Sequence, residues 1–175
     1  MSSSRYPTLM IFLHWLTLFL IVLVVFTVLG RELVETKATR QLLLGIHQSL
    51  ALLIPIIALI RLALRLTRRQ RIPRYDWGLL QDFLVKRVHG LLYLGMLAIP
   101  VLGWALVNAK GHVASLLWVL PLPELTAADM DVADQLAEWH ETAAWLFLGL
   151  IGLHALAALW HHYHKKDDVL RAMLP

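Results

Sequence analysis

Residues 9–29, LMIFLHWLTLFLIVLVVFTVL, form 21 consecutive positions without Asp, Glu, Lys or Arg. Three further runs of the same kind follow, residues 42–60, 88–109 and 142–160, of 19, 22 and 19 residues. At ~1.5 Å per residue, ~20 apolar residues cover the ~30 Å hydrocarbon layer of a bilayer, so each run is long enough to cross once as a helix. The rest of the chain agrees: 59% of residues are apolar, 16% are charged, and the mean hydropathy is +0.65. A soluble domain runs at about half apolar and a quarter charged. The fold expected is an all-α membrane protein, one domain over residues 1–175, with four transmembrane helices in an up-and-down bundle at about 9–29, 42–62, 86–109 and 138–163. Disorder, a disulfide scaffold and nucleic-acid binding are excluded by the same composition, and the lipid bilayer is the first expected partner.

The charges give the expected orientation, because Lys and Arg favour cytoplasmic loops. The N-terminus (Arg5), the second connection (Arg61, Arg65, Arg68, Arg69, Arg71, Arg74, Lys86, Arg87) and the tail (Lys165, Lys166, Arg171) hold twelve basic residues. The opposite side holds Arg31, Lys37, Arg40 and Lys110. Both termini are therefore expected in the cytoplasm. The first run is too long for a signal-peptide core and ends without an A-x-A-like site, so it reads as a retained span. Pro55 and Pro100 sit mid-span and are expected to kink their helices. The third connection, residues 110–141, contains the apolar piece 113–123 with Trp118. That piece is too short to cross, and is expected at the interface or folded over the bundle mouth. An acidic stretch, residues 124–138, follows it.

There is no cysteine. Thiolate-ligated haem, covalent c-type haem and all-Cys iron–sulfur clusters are thereby excluded, and a redox metal would be held through nitrogen or oxygen. Nine histidines are present. His14, His47, His89 and His154 lie within the uncharged runs, and His140 stands two residues before one. Ionisable groups at membrane depth are costly and mark functional sites, although a single His can also serve as a hydrogen-bonding tie between helices.

Spacing sharpens the reading. His140 and His154 are 14 residues apart, which returns to within ~40° of the same helix face at ~21 Å along the axis. Two such residues can each ligate one metal at different depths but cannot share one. A bis-His haem needs one imidazole from each of two facing helices. Depth pairs His47 with His140 on the outer side and leaves His14 for His154 on the inner side. His89 also lies near the inner end of its span, and His161, seven residues beyond His154 on nearly the same face, lies closer to the inner interface, so four imidazoles compete for two ligand places, and two are left for quinone binding or proton delivery. Gly45, Gly103, Gly149 and Gly152 lie near these ligands, where a missing side chain either makes room for a porphyrin or allows tight helix packing. Arg61, 14 residues past His47, reaches the inner level as a partner for haem propionates or as a snorkelling anchor beside Arg65.

Six segments in order resemble the bacterial cytochrome b561 family of small di-haem inner-membrane proteins. They are Leu-His-Trp-Leu (13–16), Gly-Ile-His-Gln-Ser (45–49), Arg-Leu-Ala-Leu-Arg (61–65), His-Gly-Leu-Leu-Tyr (89–93) with Ile-Pro-Val-Leu-Gly-Trp (99–104), Glu-Trp-His-Glu (138–141), and Gly-Leu-His-Ala-Leu-Ala-Ala-Leu-Trp-His-His-Tyr (152–163). The resemblance implies two non-covalent b haems, with His14 and His154 as axial ligands of the inner iron and His47 and His140 of the outer. It also implies that His89 and His161 line a cytoplasmic-side ubiquinone site and supply protons there. Members similar to a superoxide oxidase take electrons from periplasmic superoxide and pass them through both haems to ubiquinone. The outer loops are rich in acid, and Arg31, Lys37, Arg40, Lys110 and His112 form the local basic cluster that an anion would meet. Two rival functions are a haem-b anchor subunit linking quinone to a partner dehydrogenase or hydrogenase, and a transporter that uses intramembrane His for a metal or protons.

Overall fold

The computed structural model describes residues 5–67, 73 and 78–175. Arg68, Arg69, Arg71 and Arg74, half of the basic residues assigned to the second connection, lie outside the described residues. Among the described residues four helical segments are long and apolar enough to cross a membrane: Thr8–Glu32, Lys37–Thr67, Leu79–Ala109 and Met130–Lys165. They run up and down. The chain ends meet at one end of the bundle, where Tyr6 N–H donates to the Ala172 carbonyl, Trp15 Nε1 to the Met173 carbonyl and Arg5 Nη2 to the Leu174 carbonyl. That end is the terminal end.

α1 (Thr8–Glu32) opens at Pro7, whose φ of −55° suits the residue that starts a helix. The second span is two helices, α2 (Lys37–Ala51) and α3 (Leu53–Thr67), broken at Leu52. Pro55 causes the break. It has no N–H to return to the Ala51 carbonyl, and its ring clashes with that carbonyl, so the first helix stops there. α4 (Leu79–Ala109), by contrast, runs through Pro100 uninterrupted; its cap Lys110 is followed by Gly111, whose φ of +76° is one that glycine adopts without penalty.

α5 (Met130–Trp160) begins eight residues before the expected span, inside the acidic stretch. Asp129 caps it, its side chain accepting from the Asp131 and Val132 N–H groups, a contact worth ~1 kcal/mol. The helix is therefore already formed before it reaches the lipid. α4 likewise starts ahead of its apolar run, with the exposed Asp82–Lys86 pair in its first turns.

The apolar piece 113–123 folds over the end opposite the termini. It forms a small antiparallel ribbon, β1 (Ser115–Leu116) with β2 (Leu120–Pro121), and this end is called the hairpin end. Its turn holds Leu117 and Trp118 at φ 51° and 59°, a conformation costing each ~1–2 kcal/mol. Buried Asn108 fastens the loop to α4 by donating to the His112 carbonyl and accepting from Leu125 N–H. The core lies in two clusters. Leu20, Ile21 and Val24 of α1 pack on Ile54 and Ala58 of α3 and Met96 of α4. Nearer the hairpin end, Ala105, Ala109, Ala133 and Leu136 bring α4 and α5 close together, as small residues do between helices in lipid. Phe12, Phe19, Phe26, Leu146 and Leu153 are exposed on the outside, where the acyl chains would lie.

Candidate functional site

The bundle interior brings imidazoles together at two levels. Toward the hairpin end, His47 of α2 faces His140 of α5 with ring centroids 6.3 Å apart. Each ring is held by a third element. His47 Nδ1 donates to the Val24 carbonyl of α1 at 3.0 Å, and His140 Nδ1 donates to the Ile99 carbonyl of α4 at 3.0 Å. A carbonyl can only accept, so the ring proton is on Nδ1 and the Nε2 lone pair is left for a metal. Gly103 is part of the same construction. A Cβ there would stand 3.0 Å from His140 Cε1, so the glycine makes room for the imidazole itself. Gly45 serves another purpose: a Cβ would meet the Trp118 indole at 3.1 Å, so it seats the hairpin over the mouth.

Toward the terminal end three imidazoles gather. His14 of α1 and His154 of α5 have centroids 6.3 Å apart, and His89 of α4 approaches His154 to 5.2 Å. His89 Nδ1 donates to the Val85 carbonyl at 2.7 Å. Arg61 of α3 lies against His14, its Nη2 donating to Nδ1 at 3.1 Å, and its guanidinium stands 5.8 Å over the Tyr93 ring. A guanidinium only donates, so the proton of neutral His14 is on Nε2, the reverse of the hairpin level. Arg61 thus reaches the inner level expected of it, but its partner there is His14. Outside the spans, burial pushes the Tyr6 phenol above its ordinary range, opposed by the nearby Arg65 cation.

The separations discriminate among the pairs. Two imidazole nitrogens facing each other across a metal, each at ~2 Å from it and ~1.1 Å from its own ring centre, place the ring centres a little over 6 Å apart. Both 6.3 Å pairs meet that length. The His89–His154 contact falls 1.1 Å short of it, which leaves no room for a metal between the nitrogens. Among the described residues no group of three or more His, Cys, Asp or Glu could hold a metal ion. Each pair would hold a metal that comes with further donors of its own, as haem iron does. Gly149 and Gly152, where an added Cβ would meet nothing within 4 Å, are exposed on the side of α5 turned away from His140 and His154, so the expected room beside the ligands is not there.

His161 lies two turns beyond His154, in the π-helical turn His161–Lys165 that ends the fourth span. Its Nδ1 pairs with the Asp167 carboxylate and its Nε2 meets Gln81 Nε2 at 3.1 Å. Gln81 is eight residues before His89 on α4, ~12 Å along the axis, so His161 and His89 occupy different depths. Asp167, Gln81 and Lys165 escape a reading of the sequence because all three lie outside the uncharged runs, and six residues is no helical spacing between His161 and Asp167. At the hairpin end, Arg40 of the expected basic cluster is turned toward Glu32 at 3.5 Å.

Four apolar helices that bring facing imidazole pairs together at two depths have the make-up of a membrane cytochrome of b type. The chain belongs to the prokaryotic cytochrome b561 family, whose profile matches residues 5–175. It is 31% identical over 174 residues to the probable superoxide oxidase CybB of Yersinia pestis, covering 98% of this chain and 97% of that protein. It is 30% identical to cytochrome b561 homolog 1 of Escherichia coli (strain K12), covering 98% of each, and 28% identical to homolog 2 of the same strain over 74% of this chain and 69% of that one. The protein is thus a multi-pass membrane oxidoreductase that uses haem b to move electrons across the membrane.

Proposed function

We propose that the chain holds two b haems, the outer between His47 and His140 and the inner between His14 and His154, and passes electrons singly from periplasmic superoxide to ubiquinone. The observation that carries this reading is the pair of equal 6.3 Å separations at two depths. When bound, each haem supplies an iron that alternates between ferric and ferrous and so stores one electron. Two superoxide ions give up one electron each and leave as O2; ubiquinone takes up two electrons and two protons to become the quinol.

The protein's own groups divide the remaining work. Val24 and Ile99 carbonyls orient the outer imidazoles. At the inner level, ligation through His14 Nε2 requires that atom to lose its proton, so Arg61 must release Nδ1 and becomes available to a propionate. His89 and His161 relay protons to the quinone from the terminal side. The relative from Yersinia pestis that bears a superoxide oxidase name supports the donor. The excess of Lys and Arg at the terminal end supports an inner-membrane location with both termini in the cytoplasm.

Purified protein is expected to show two haems per polypeptide in a reduced-minus-oxidised spectrum, and to be reduced by superoxide in stopped flow and reoxidised on adding ubiquinone. One haem or none ends the two-site reading. Two haems that superoxide leaves oxidised, but a partner dehydrogenase reduces, would make the chain an anchor subunit instead.

A further inference from the structure

The fourth span does not end as a simple helix. After the π turn, Lys166 adopts a left-handed conformation, φ 54° and ψ 33°, and Asp167 N–H returns to the His161 carbonyl at 3.3 Å. That seven-to-one bond, one residue wider than the six-to-one bond of a Schellman motif because it closes a π turn, reverses the chain. A lysine in this region costs ~1–2 kcal/mol more than a glycine would. The reversal swings the Asp167 carboxylate back onto the ring it follows, and Asp167 is fixed at both oxygens: one pairs with His161 Nδ1, the other accepts from Val169 N–H at 3.1 Å.

Two further contacts settle the ring's other side. Lys165 Nζ donates to Gln81 Oε1 at 3.1 Å. An ammonium only donates, so the Gln81 amide turns its NH2 toward His161 Nε2, 3.1 Å away. The carboxylate keeps a proton on Nδ1, and Nε2 of the neutral ring accepts from the amide. The His161 side chain is 12% exposed and that of Asp167 30%, so the carboxylate reaches water while the ring is largely covered.

Resting on the reading that quinone is reduced at this end, we propose that Gln81 and His161 together bind one oxygen of the quinone headgroup, with Asp167 as the residue that positions His161. Gln81 presents an N–H donor and His161 Nε2 a site that accepts or delivers a proton, side by side across the α4–α5 junction. A quinone oxygen entering between them takes the amide hydrogen bond in place of His161. His161 takes up a proton at Nε2 from the terminal side and so donates to the same oxygen. As the quinone gains two electrons, one at a time from the reduced protein, that proton leaves Nε2 to form one O–H bond, the second proton comes from water, and the ring returns to its neutral form with hydrogen on Nδ1. Asp167 holds the ring's orientation and offsets its charge while it carries both protons, as a carboxylate does behind a general-acid histidine.

The test is stopped-flow reoxidation of dithionite-reduced, haem-loaded protein by ubiquinone-1 in detergent, at varied quinone concentration. Gln81→Leu is expected to raise the half-saturating quinone concentration about tenfold with a nearly unchanged limiting rate. Asp167→Asn, which can donate as well as accept and so no longer fixes the ring, is expected to lower the limiting rate about tenfold or more at near-constant half-saturation, and Asp167→Glu to restore most of it. A wild-type limiting rate in Asp167→Asn, or a loss confined to half-saturation, overturns the positioning role. Unchanged half-saturation in Gln81→Leu overturns the binding pair, and this variant carries the test if the Asp167 variants fail to accumulate. His161→Ala separates the two levels of the reading. If it reoxidises as wild type does, the quinone assignment of His161 itself falls; if it is slow while Asp167→Asn and Gln81→Leu are normal, only the roles given to Gln81 and Asp167 fall.

Discussion

The two imidazole levels are built differently. At the hairpin level two rings face each other, each fixed through Nδ1 by a backbone carbonyl from a helix other than its own. Neither of those anchors titrates, and Gly103 is kept small for the ring. At the terminal level a third imidazole, a guanidinium and a tyrosine ring crowd the same space, and a separate polar group of Gln81, His161, Lys165 and Asp167 lies nearer the chain ends. Under the proposed function this is a contrast of tasks. A site that only stores an electron needs ligands held still by uncharged groups, whereas a site that must also deliver protons needs mobile hydrogen and compensating charge close by.

Removing ligands tests that contrast most strongly. His47→Ala or His140→Ala is expected to abolish about one of two haem equivalents and leave the other spectrally intact, and the double variant to lose no more than one. Loss of both haems from a single change would mean that the levels are not independent. His89→Ala should keep both haems, because its ring stands too close to His154 to share an iron with it; loss of the inner haem in the pyridine-haemochrome assay would exchange His89 for His14 as the ligand. A smaller effect is expected from Gly103→Ala. The new methyl displaces the His140 ring by a few tenths of an ångström, and outer-haem affinity should fall about tenfold, the scale found when the support of a ligand is disturbed; haem titration of the apoprotein measures it. Asp129→Ala touches neither level. It should cost ~1 kcal/mol and lower the thermal midpoint by a few degrees without changing the spectrum.

Much of the fold is legible in the primary structure because transfer of an apolar run into lipid is a local quantity, summed residue by residue. The four runs therefore locate the four spans, and the histidines inside them stand out against that background. Helix ends are less legible. A helix satisfies its own backbone in water as well as in lipid, so Asp129 starts α5 eight residues ahead of the expected span, and hydropathy alone has no means of registering a cap. Pro55 and Pro100 look equivalent in the chain, yet the helix breaks before one and passes through the other.

The amino-acid order by itself determined the solvent in which this protein folds, the number of crossings and the rise between histidines of one span, since all three follow from one-dimensional spacing at ~1.5 Å per residue. Only the tertiary structure decided which rings stand far enough apart to admit a metal, that Gly45 seats an indole while Gly103 seats an imidazole, and that Asp167 turns back onto His161. Those outcomes depend on side chains meeting across helices and on a left-handed residue reversing the backbone, and neither is a property of any single stretch of sequence.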